Sequence, residues 1–330
     1  MKKKVVAFYD IEESYRTEFI AYLEKERRLP FTIMSFADAE ALKTFCMTEA
    51  PECIVVSESA YEEGWKEYGE VVVLKEGGYI SDISLHYVDK YQSADNIVKE
   101  MLAYFTERAD VDMPLCLGQK KSRFIGIYSP VKRCLQTSTA LAMGQILAKK
   151  KKVLYISFEH YSVFAKQMEQ EISMNLVDLV FYMKHAREKL IFKLRSMIQT
   201  INALDYIPPA VSFLDLYEIP TEEWLTLLAQ IGESGGYDYI LLDLHECLNG
   251  IFDILQFCDY IYTIEKNDGM AYAKIHQYEQ MLLQRDYGDI LERTRKLHLP
   301  CFKHIPVDVE QLLYSELAEY VKTLILEEGL

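Results

Sequence analysis

Residues 126–141 read GIYSPVKRCLQTSTAL, and this stretch decides the fold of the second half of the chain. The segment before it, 124–128, is apolar and rich in β-formers, which predicts a strand. After it, residues 137–149 have the spacing of a helix, and residues 153–156 form a second apolar run. A strand, a short turn, a helix and another strand in this order predict the β-α-β unit of a parallel α/β domain.

The same alternation continues through residues 123–330, so we predict one α/β domain over this range. Its predicted strands are 124–128, 153–156, 239–242, 260–263 and 300–305. Its predicted helices are 137–149, 175–201, 222–231 and 307–325. The segment 307–325 is amphipathic with an acidic polar face, the wrong sign for anionic lipid, and we expect it to pack on its own domain.

A separate alternation in residues 1–110 predicts a smaller α/β domain with a parallel sheet. Its predicted strands are 5–8, 31–34, 53–56, 71–74 and 85–88. Residues 111–122 contain Asp112, Pro114 and Gly118 without periodicity, so they are predicted to be the linker between the two domains. With 330 residues, the chain is long enough for each domain to bury its own core.

The composition favours a folded, acidic protein whose partners are other proteins. Half of the residues are hydrophobic and 26% are charged, which is the balance of a globular chain. The net charge of -15 opposes direct contact with nucleic acid or with an anionic membrane surface. No apolar run approaches the length of a transmembrane helix, and the short one after the basic start predicts no secretory signal. We therefore expect a soluble, cytoplasmic protein without direct membrane insertion.

The cysteines and histidines give no sign of a disulfide framework or of a zinc-finger type of metal site. The seven cysteines include no CxxC pair, and the seven histidines lie at no metal-ligand spacing beside them. We expect the thiols to be reduced and packed as small hydrophobic side chains.

The loop and its surroundings resemble the opening of the MinD/ParA ATPases, where a strand, a loop of the form KGGxGKT, a helix and an acid-ended strand follow one another. Aligning the family's last threonine with Thr137 places Gln136 at the phosphate-binding lysine. Side chains then stand at all three glycine positions, which are Lys132, Arg133 and Leu135. The resemblance implies that a nucleotide would meet Lys132, Arg133, Cys134, Gln136, Thr137 and Ser138.

Such a loop binds phosphate through successive backbone N–H groups, and glycines allow the dihedral angles and the close approach that this requires. If two of these positions need a positive φ, each side chain costs roughly 1–2 kcal/mol. Losing the lysine removes a charge-assisted hydrogen bond of roughly 1.5–3 kcal/mol. We therefore expect no cofactor, with ATP binding weaker than micromolar. The alternative is ATP with magnesium, held with help from the side chain of Lys132 or Arg133.

Two acidic residues follow predicted strands of the same domain. Asp243 ends the strand 239–242 in the form of a Walker B strand, and Glu159 stands where the family has the second of two aspartates. In an active enzyme, the resemblance implies that Thr137 and Asp243 hold magnesium and that Glu159 is the catalytic residue that activates water. Ser157 takes the place of the first aspartate, whereas Glu159 keeps a carboxylate at the second. Because the loop has lost its glycines and its lysine, we expect very weak ATPase activity or none.

The smaller domain resembles the receiver domain of response regulators. Asp10 matches the acidic site after the first strand of a receiver, and Lys90 matches the lysine after its fifth strand. Ser57 stands where the phosphate-accepting aspartate belongs, and a hydroxyl cannot replace that carboxylate in an acyl phosphate. The resemblance therefore implies a pseudo-phosphoacceptor site of Asp10, Ser57 and Lys90 in an unphosphorylated interaction module.

The order of the two domains is similar to that of the TadZ/CpaE group of pilus-assembly proteins, within the MinD/ParA superfamily. Further likeness lies at 128–130, 159–161 and 204–209. The resemblance implies a scaffold that places a Tad-type (type IV-like) pilus or secretion machine through protein partners. It also implies that the chain can form a homodimer and that partners can recruit it to the cell pole or the inner face of the membrane. The alternative is an active ATPase that drives polar positioning by nucleotide-dependent dimerisation.

Overall fold

The computed structural model describes residues 5–25, 31–77, 85–107, 121–164 and 174–330. The chain forms two compact units. The first unit comprises the described part of Met1–Leu117 together with Ala186–Ser196, and the second comprises the described parts of Gly118–His185 and Met197–Leu330. Of the linker predicted at 111–122, residues 111–120 lie outside the described ranges.

The first unit contains an all-parallel sheet with the strand order β2-β1-β3-β4-β5. Its strands are β1 (Val5–Tyr9), β2 (Thr32–Phe36), β3 (Cys53–Ser57), β4 (Val71–Lys75) and β5 (His86–Asp89). Its helices include α1 (Glu13–Lys25), α2 (Ala39–Thr48) and α3 (Ala94–Glu107). The five predicted strands are confirmed, each starting within one residue of its predicted position. This strand order is the flavodoxin-like one, in which a crevice opens beyond the carboxyl ends of β1 and β3.

Apolar runs form the central strands of this unit because a parallel sheet is covered on both faces. Along β3, Val55 belongs to one apolar cluster, whereas Ile54 belongs to another, as the alternation of a strand requires. Phe192 packs into the cluster that contains Phe8 and Val55. This buried ring explains why Ala186–Ser196, far along the sequence, is part of the first unit.

The second unit contains a sheet with the strand order β12-β11-β6-β10-β7-β9-β8, parallel except for the edge pair β8 and β9. Its strands are β6 (Arg123–Ile127), β7 (Val153–Ser157), β8 (Gln199–Ile201), β9 (Leu204–Tyr206), β10 (Tyr239–Asp243), β11 (Tyr260–Glu265) and β12 (Thr294–His298). The helices that follow α3 in the chain include α4 (Gln136–Ala148), α5 (Leu176–His185), α6 (Leu190–Met197), α7 (Phe213–Glu218), α8 (Thr221–Ser234), α9 (Ile251–Phe257), α10 (Gly269–Gln284), α11 (Gly288–Glu292) and α12 (Glu316–Glu328).

Two predictions for the second half of the chain are wrong in their boundaries. The last strand is Thr294–His298 and not 300–305; its sequence, TRKLH, has one buried side chain, Leu297, so an apolar run does not mark it. The single helix predicted at 175–201 is interrupted after His185, where Ala186 has a φ of -152° and a ψ of 59°, outside the helical region. The interruption separates α5 in the second unit from the segment that packs in the first.

The described ranges contain no helix that is both long enough and apolar enough to cross a membrane. The C-terminal helix α12 buries Leu317, Val321 and Leu324 in the same apolar cluster as α4, so it packs on its own unit as predicted.

The order of the central strands brings three chain segments to one edge of the second sheet. In the parallel registers, Asp243 of β10 is paired with Ile127 of β6 on one side and with Ser157 of β7 on the other. The loop from β6 to α4, the end of β7 and the end of β10 therefore lie together at the carboxyl edge of the sheet. Sites in open α/β sheets form at this edge.

Candidate functional site

The loop between β6 and α4 has left-handed backbone conformations without any glycine. Arg133 has a φ of 55° and Leu135 a φ of 64°. Two of the three positions that the sequence alignment places at glycines thus have the backbone angles that glycine favours. Each costs roughly 1–2 kcal/mol in a residue with a side chain. Strain of this kind persists only where the surrounding contacts hold it in place. The loop thus has a left-handed backbone at Arg133 and at Leu135.

Ser129 anchors the start of this loop. Its hydroxyl donates to the carbonyl of Ile264 at 2.5 Å and accepts the N–H of Val131 at 3.0 Å. Val131 and Cys134 are buried, and burial raises the pKa of the Cys134 thiol. The hydrogen bonds of Ser129 and the buried side chains of Val131 and Cys134 therefore fix the loop against the rest of the second unit.

Gln136, at the position predicted for the phosphate-binding lysine, is buried and directs its amide into the loop. Its Oε1 accepts the N–H of Ser129 at 2.8 Å. Its Nε2 donates to Asp243 Oδ1 at 2.7 Å and to the carbonyl of Leu244 at 2.9 Å. The amide nitrogen of Gln136 has two hydrogens, and these two bonds use both of them. Gln136 therefore occupies a loop N–H and ties the loop to the end of β10.

Lys132, predicted as a substitute for the lost lysine, forms an ion pair with Glu246 just beyond β10. Burial raises the pKa of Glu246, but the hydrogen bond and charge of Lys132 outweigh it and leave that pKa below its ordinary value. Tyr128 also donates to Glu246, at 3.3 Å. Arg133 is exposed, and Ser138 is half-buried in the first turn of α4. The positive charge of Lys132 is thus already matched by a carboxylate.

Glu159, Asp243 and His245 meet beyond the carboxyl ends of β7 and β10, and we call them the strand-end cluster. His245 Nε2 lies 3.4 Å from Asp243 Oδ1 and 4.0 Å from Glu159 Oε1. Thr137 donates to Glu159 Oε1 at 2.6 Å, and the hydroxyl of Tyr155 donates to Asp243 Oδ2 at 2.9 Å. Asp243 is fully buried, and the other two members are largely buried.

The pKa values of Glu159 and of His245 in this cluster are both raised. Burial and the charge of Asp243 raise the pKa of Glu159 to about 7, against the lowering effect of the Thr137 hydrogen bond. Burial lowers the pKa of His245, but its hydrogen bond with Asp243 and the charges of Asp243 and Glu159 outweigh this and raise it. Burial and the charge of Asp243 also raise the pKa of Tyr155 well above its ordinary value, so this hydroxyl remains a donor.

The polar groups of this loop that the resemblance assigns to a nucleotide with magnesium have partners within the protein. The N–H of Ser129 is bonded to Gln136, and Lys132 is paired with Glu246. The two predicted magnesium ligands have different partners, because Thr137 donates to Glu159 whereas Asp243 accepts from Gln136. These side chains therefore bind one another in this structure.

His245 was missed by the sequence reasoning, which searched for histidines near cysteines. The signal that could have found it is Asp-Leu-His at the end of an apolar strand, where His245 follows Asp243 by two residues. Its neighbour His160, after β7, has a pKa lowered by burial and by the charges of His245 and Lys132. The His160 ring lies 6.3 Å from that of His245, between ring centres.

The predicted site of the first unit contains an ion cluster around a buried lysine. Lys90 Nζ lies 2.9 Å from Asp10 Oδ2, 2.6 Å from Glu76 Oε1 and 3.4 Å from Glu12 Oε2. Ser57 is buried at the end of β3 and shares a hydrogen bond of 3.2 Å with the hydroxyl of Ser59. The structure thus joins Asp10 with Lys90 directly. Sequence reasoning missed Glu76, which follows β4.

We expect that acetyl phosphate will not phosphorylate this site in the full chain. Ser57 provides no carboxylate for an acyl phosphate, and the ammonium group of Lys90 is already surrounded by carboxylates. Intact-mass spectrometry after incubation with acetyl phosphate and magnesium measures this, with Ser57→Asp as the matched variant. A phosphate adduct mapped to the first unit of the unmodified chain would contradict the expectation.

No protein-family model matches the chain, and no curated protein matches it. Among solved structures, the chain is similar to a plasmid partition protein from Borrelia burgdorferi, at 16% identity over 63% of this chain and 100% of that chain, with a TM-score of 0.43. It is similar to a chain of the MinC:MinD cell division complex of Aquifex aeolicus, at 18% identity over 63% of this chain and 89% of that chain (TM-score 0.41). A ParA family ATPase from Chlorobium tepidum has 14% identity over 63% of this chain and 93% of that chain (TM-score 0.42).

Proposed function

We propose that the protein is a scaffold built on a MinD/ParA-like P-loop fold that does not depend on ATP hydrolysis. The observation that carries this proposal is the amide of Gln136, which bonds the loop N–H of Ser129 and the carboxylate of Asp243. Lys132 is engaged with Glu246 in the same loop. A loop whose polar groups bind one another is suited to keeping one shape rather than to exchanging nucleotides.

The finer proposal is a role of the TadZ/CpaE type, in which the chain helps to place a Tad-type pilus or secretion machine through protein partners. The acidic net charge of -15 supports protein partners over nucleic acid or anionic lipid. The first unit would serve as an unphosphorylated interaction module, and a homodimer and recruitment to the cell pole belong to the same proposal.

Exposed apolar side chains near the strand-end cluster support a protein-binding role. Tyr161, just after β7, is 83% exposed, and its ring lies 6.1 Å from that of Phe213. Leu214 and Tyr217 on α7 are more than half exposed. Aromatic side chains are enriched in protein interfaces, and exposed apolar patches mark sites of interaction.

Calorimetric titration of the full chain with ATP and magnesium tests the proposal. We expect a dissociation constant weaker than about 1 μM, which corresponds to about -8 kcal/mol, and no release of phosphate above the uncatalysed rate. Co-purification with its assembly partners should be the same with and without ATP. ATP hydrolysis that is lost in Glu159→Gln would overturn the scaffold proposal in favour of an active ATPase.

A further inference from the structure

We propose that Glu159, Asp243 and His245 bind one divalent transition-metal ion of the zinc class, without any nucleotide. The ion would take one imidazole nitrogen and one oxygen from each carboxylate. This site differs from the magnesium site predicted from the sequence, because it uses His245 and not Thr137 as a ligand. It goes beyond the proposed function, since a scaffold can hold a metal ion whether or not it binds ATP.

The positions of the three ligand atoms are close to those that a metal ion requires. They all lie within 4.8 Å of one another, with His245 Nε2 at 3.4 Å from Asp243 and 4.0 Å from Glu159. At zinc–ligand distances of about 2.0–2.2 Å, tetrahedral ligand atoms are separated by roughly 3.3–3.5 Å. The pair of Asp243 and His245 already has this separation. Glu159 Oε1, at 4.0 Å from His245 Nε2, would have to move closer to complete the site.

Hydrogen bonds already orient both carboxylates. Asp243 accepts from Tyr155 at 2.9 Å and from Gln136 at 2.7 Å, and Glu159 accepts from Thr137 at 2.6 Å. Donors of this kind fix the direction of a metal-ligating group and tune its affinity. A carboxylate has about four acceptor sites, so Asp243 can accept these two bonds and still offer a lone pair to an ion. The amide of Gln136 also lies 3.3 Å from His245 Nε2 and would have to give up that contact when an ion binds. Asp243 is the last residue of β10, and Glu159 follows the neighbouring strand β7 by two residues.

The donor set selects the class of metal. An imidazole with two carboxylates suits zinc and related ions, whereas magnesium prefers oxygen ligands in octahedral geometry. A divalent ion would also neutralise two carboxylates in a largely buried place, where the nearby Lys132 is already paired with Glu246. Three protein ligands leave a fourth position open for water.

Calorimetry of the full chain, freed of metal by a chelator, tests the site. A Cys301→Ser background removes an exposed thiol that could bind zinc elsewhere. We expect one zinc ion per chain in the absence of nucleotide, with zinc bound more tightly than manganese and manganese more tightly than magnesium. Zinc should also raise the melting temperature, because it binds the folded state.

Substitutions of the ligands and of a neighbour locate the ion. His245→Ala and the isosteric Glu159→Gln are expected to abolish stoichiometric zinc binding, and Thr137→Val to weaken it about 10- to 100-fold. His160→Ala is the matched control and should leave binding unchanged. Far-UV circular dichroism establishes that each variant is folded. Thr137→Val serves where either ligand variant fails to fold.

The outcomes separate this proposal from the proposed function. Absence of zinc binding by the unmodified chain overturns the metal site, as does stoichiometric binding that survives both ligand substitutions. Magnesium bound as tightly as zinc overturns the assignment of metal class. None of these results bears on the ATP titration, and tight ATP binding would not by itself overturn the metal site.

Discussion

Replacing Lys90 with methionine is expected to lower the free energy of unfolding of the first unit by about 3–5 kcal/mol. The side chain of Lys90 is 1% exposed, and its ammonium group lies between Asp10 and Glu76. Methionine keeps an unbranched apolar stem but removes the charge, so the fully buried carboxylate of Asp10 loses its cation. Leaving one partner of a buried ion pair alone costs far more than losing an exposed pair.

Tryptophan fluorescence measures this effect in one unit of the chain. Trp65 is buried in the first unit and Trp224 in the second, and they are the two tryptophans of the sequence. In a Trp224→Phe background, urea unfolding followed at Trp65 therefore reports on the first unit alone. The matched control is Lys99→Met, which removes the partly exposed pair with Asp95 on α3 and should cost less than about 0.5 kcal/mol.

A double substitution separates the buried charge from the loss of packing. If an unpaired Asp10 carboxylate causes the instability of Lys90→Met, adding Asp10→Asn should restore part of the lost free energy. Equal losses in Lys90→Met and Lys99→Met, or no recovery in the double variant, would contradict the role assigned to the ion cluster.

The free energy of unfolding that Lys90→Met loses should decrease as the pH falls from neutral into acid. Burial raises the pKa of Glu76, but hydrogen bonds from Lys90 and Ser59 outweigh it and lower that pKa, so its stabilisation is present at neutral pH and disappears in acid. Burial lowers the pKa of Lys90, but its hydrogen bonds with Glu76 and Asp10 raise it, so its stabilisation disappears only in strong alkali. The difference in the free energy of unfolding between Lys90→Met and the unmodified chain should therefore be largest near neutral pH and shrink as Glu76 becomes protonated.

Sequence patterns predicted the parts of this fold that are continuous in the chain. Buried strands such as β3 and β10 are apolar runs, and their order with the helices predicts parallel sheets. The edge strand β12 was misplaced because its side chains are mostly charged and exposed. The inclusion of Ala186–Ser196 in the first unit was also missed, because packing between distant segments leaves no local pattern.

In the candidate site, too, sequence patterns predicted residues near strand ends but not contacts between side chains that are distant in the chain. Glu159 and Asp243 could be predicted because each follows an apolar strand, and the strand order then brings them together. The partner of Lys132 could not be predicted, since Glu246 lies more than one hundred residues away and meets it only through the sheet. The orientation of Gln136 likewise depends on Asp243 and Ser129, which the fold supplies.

Restoring glycines at Lys132, Arg133 and Leu135 together with lysine at Gln136 is expected to give measurable ATP binding. The new lysine offers a charge-assisted hydrogen bond of about 1.5–3 kcal/mol, or roughly 10- to 150-fold in affinity. Glycine at the two positions with positive φ removes strain and clears the approach to the loop N–H groups. Calorimetry with ATP and magnesium measures the gain, which should exceed tenfold.

Gln136→Lys alone should recover little, and the structure gives two reasons. The new ammonium group would lie next to Asp243, which now accepts from the amide at 2.7 Å, so an ion pair would compete with phosphate. The side chains of Arg133 and Leu135 would still occupy the left-handed positions.

The Lys132→Gly step has a further consequence, because it leaves the carboxylate of Glu246 without its cation at the mouth of the loop. Adding Glu246→Gln to the fourfold variant should therefore tighten ATP binding, since it removes a negative charge that would repel the phosphates. The same Glu246→Gln substitution in the unmodified chain should have no such effect, because Gln136 and the two strained side chains still close the loop. Unmodified protein that binds ATP as tightly as the fourfold variant would show that the hydrogen bonds of Gln136 do not keep ATP out of the loop.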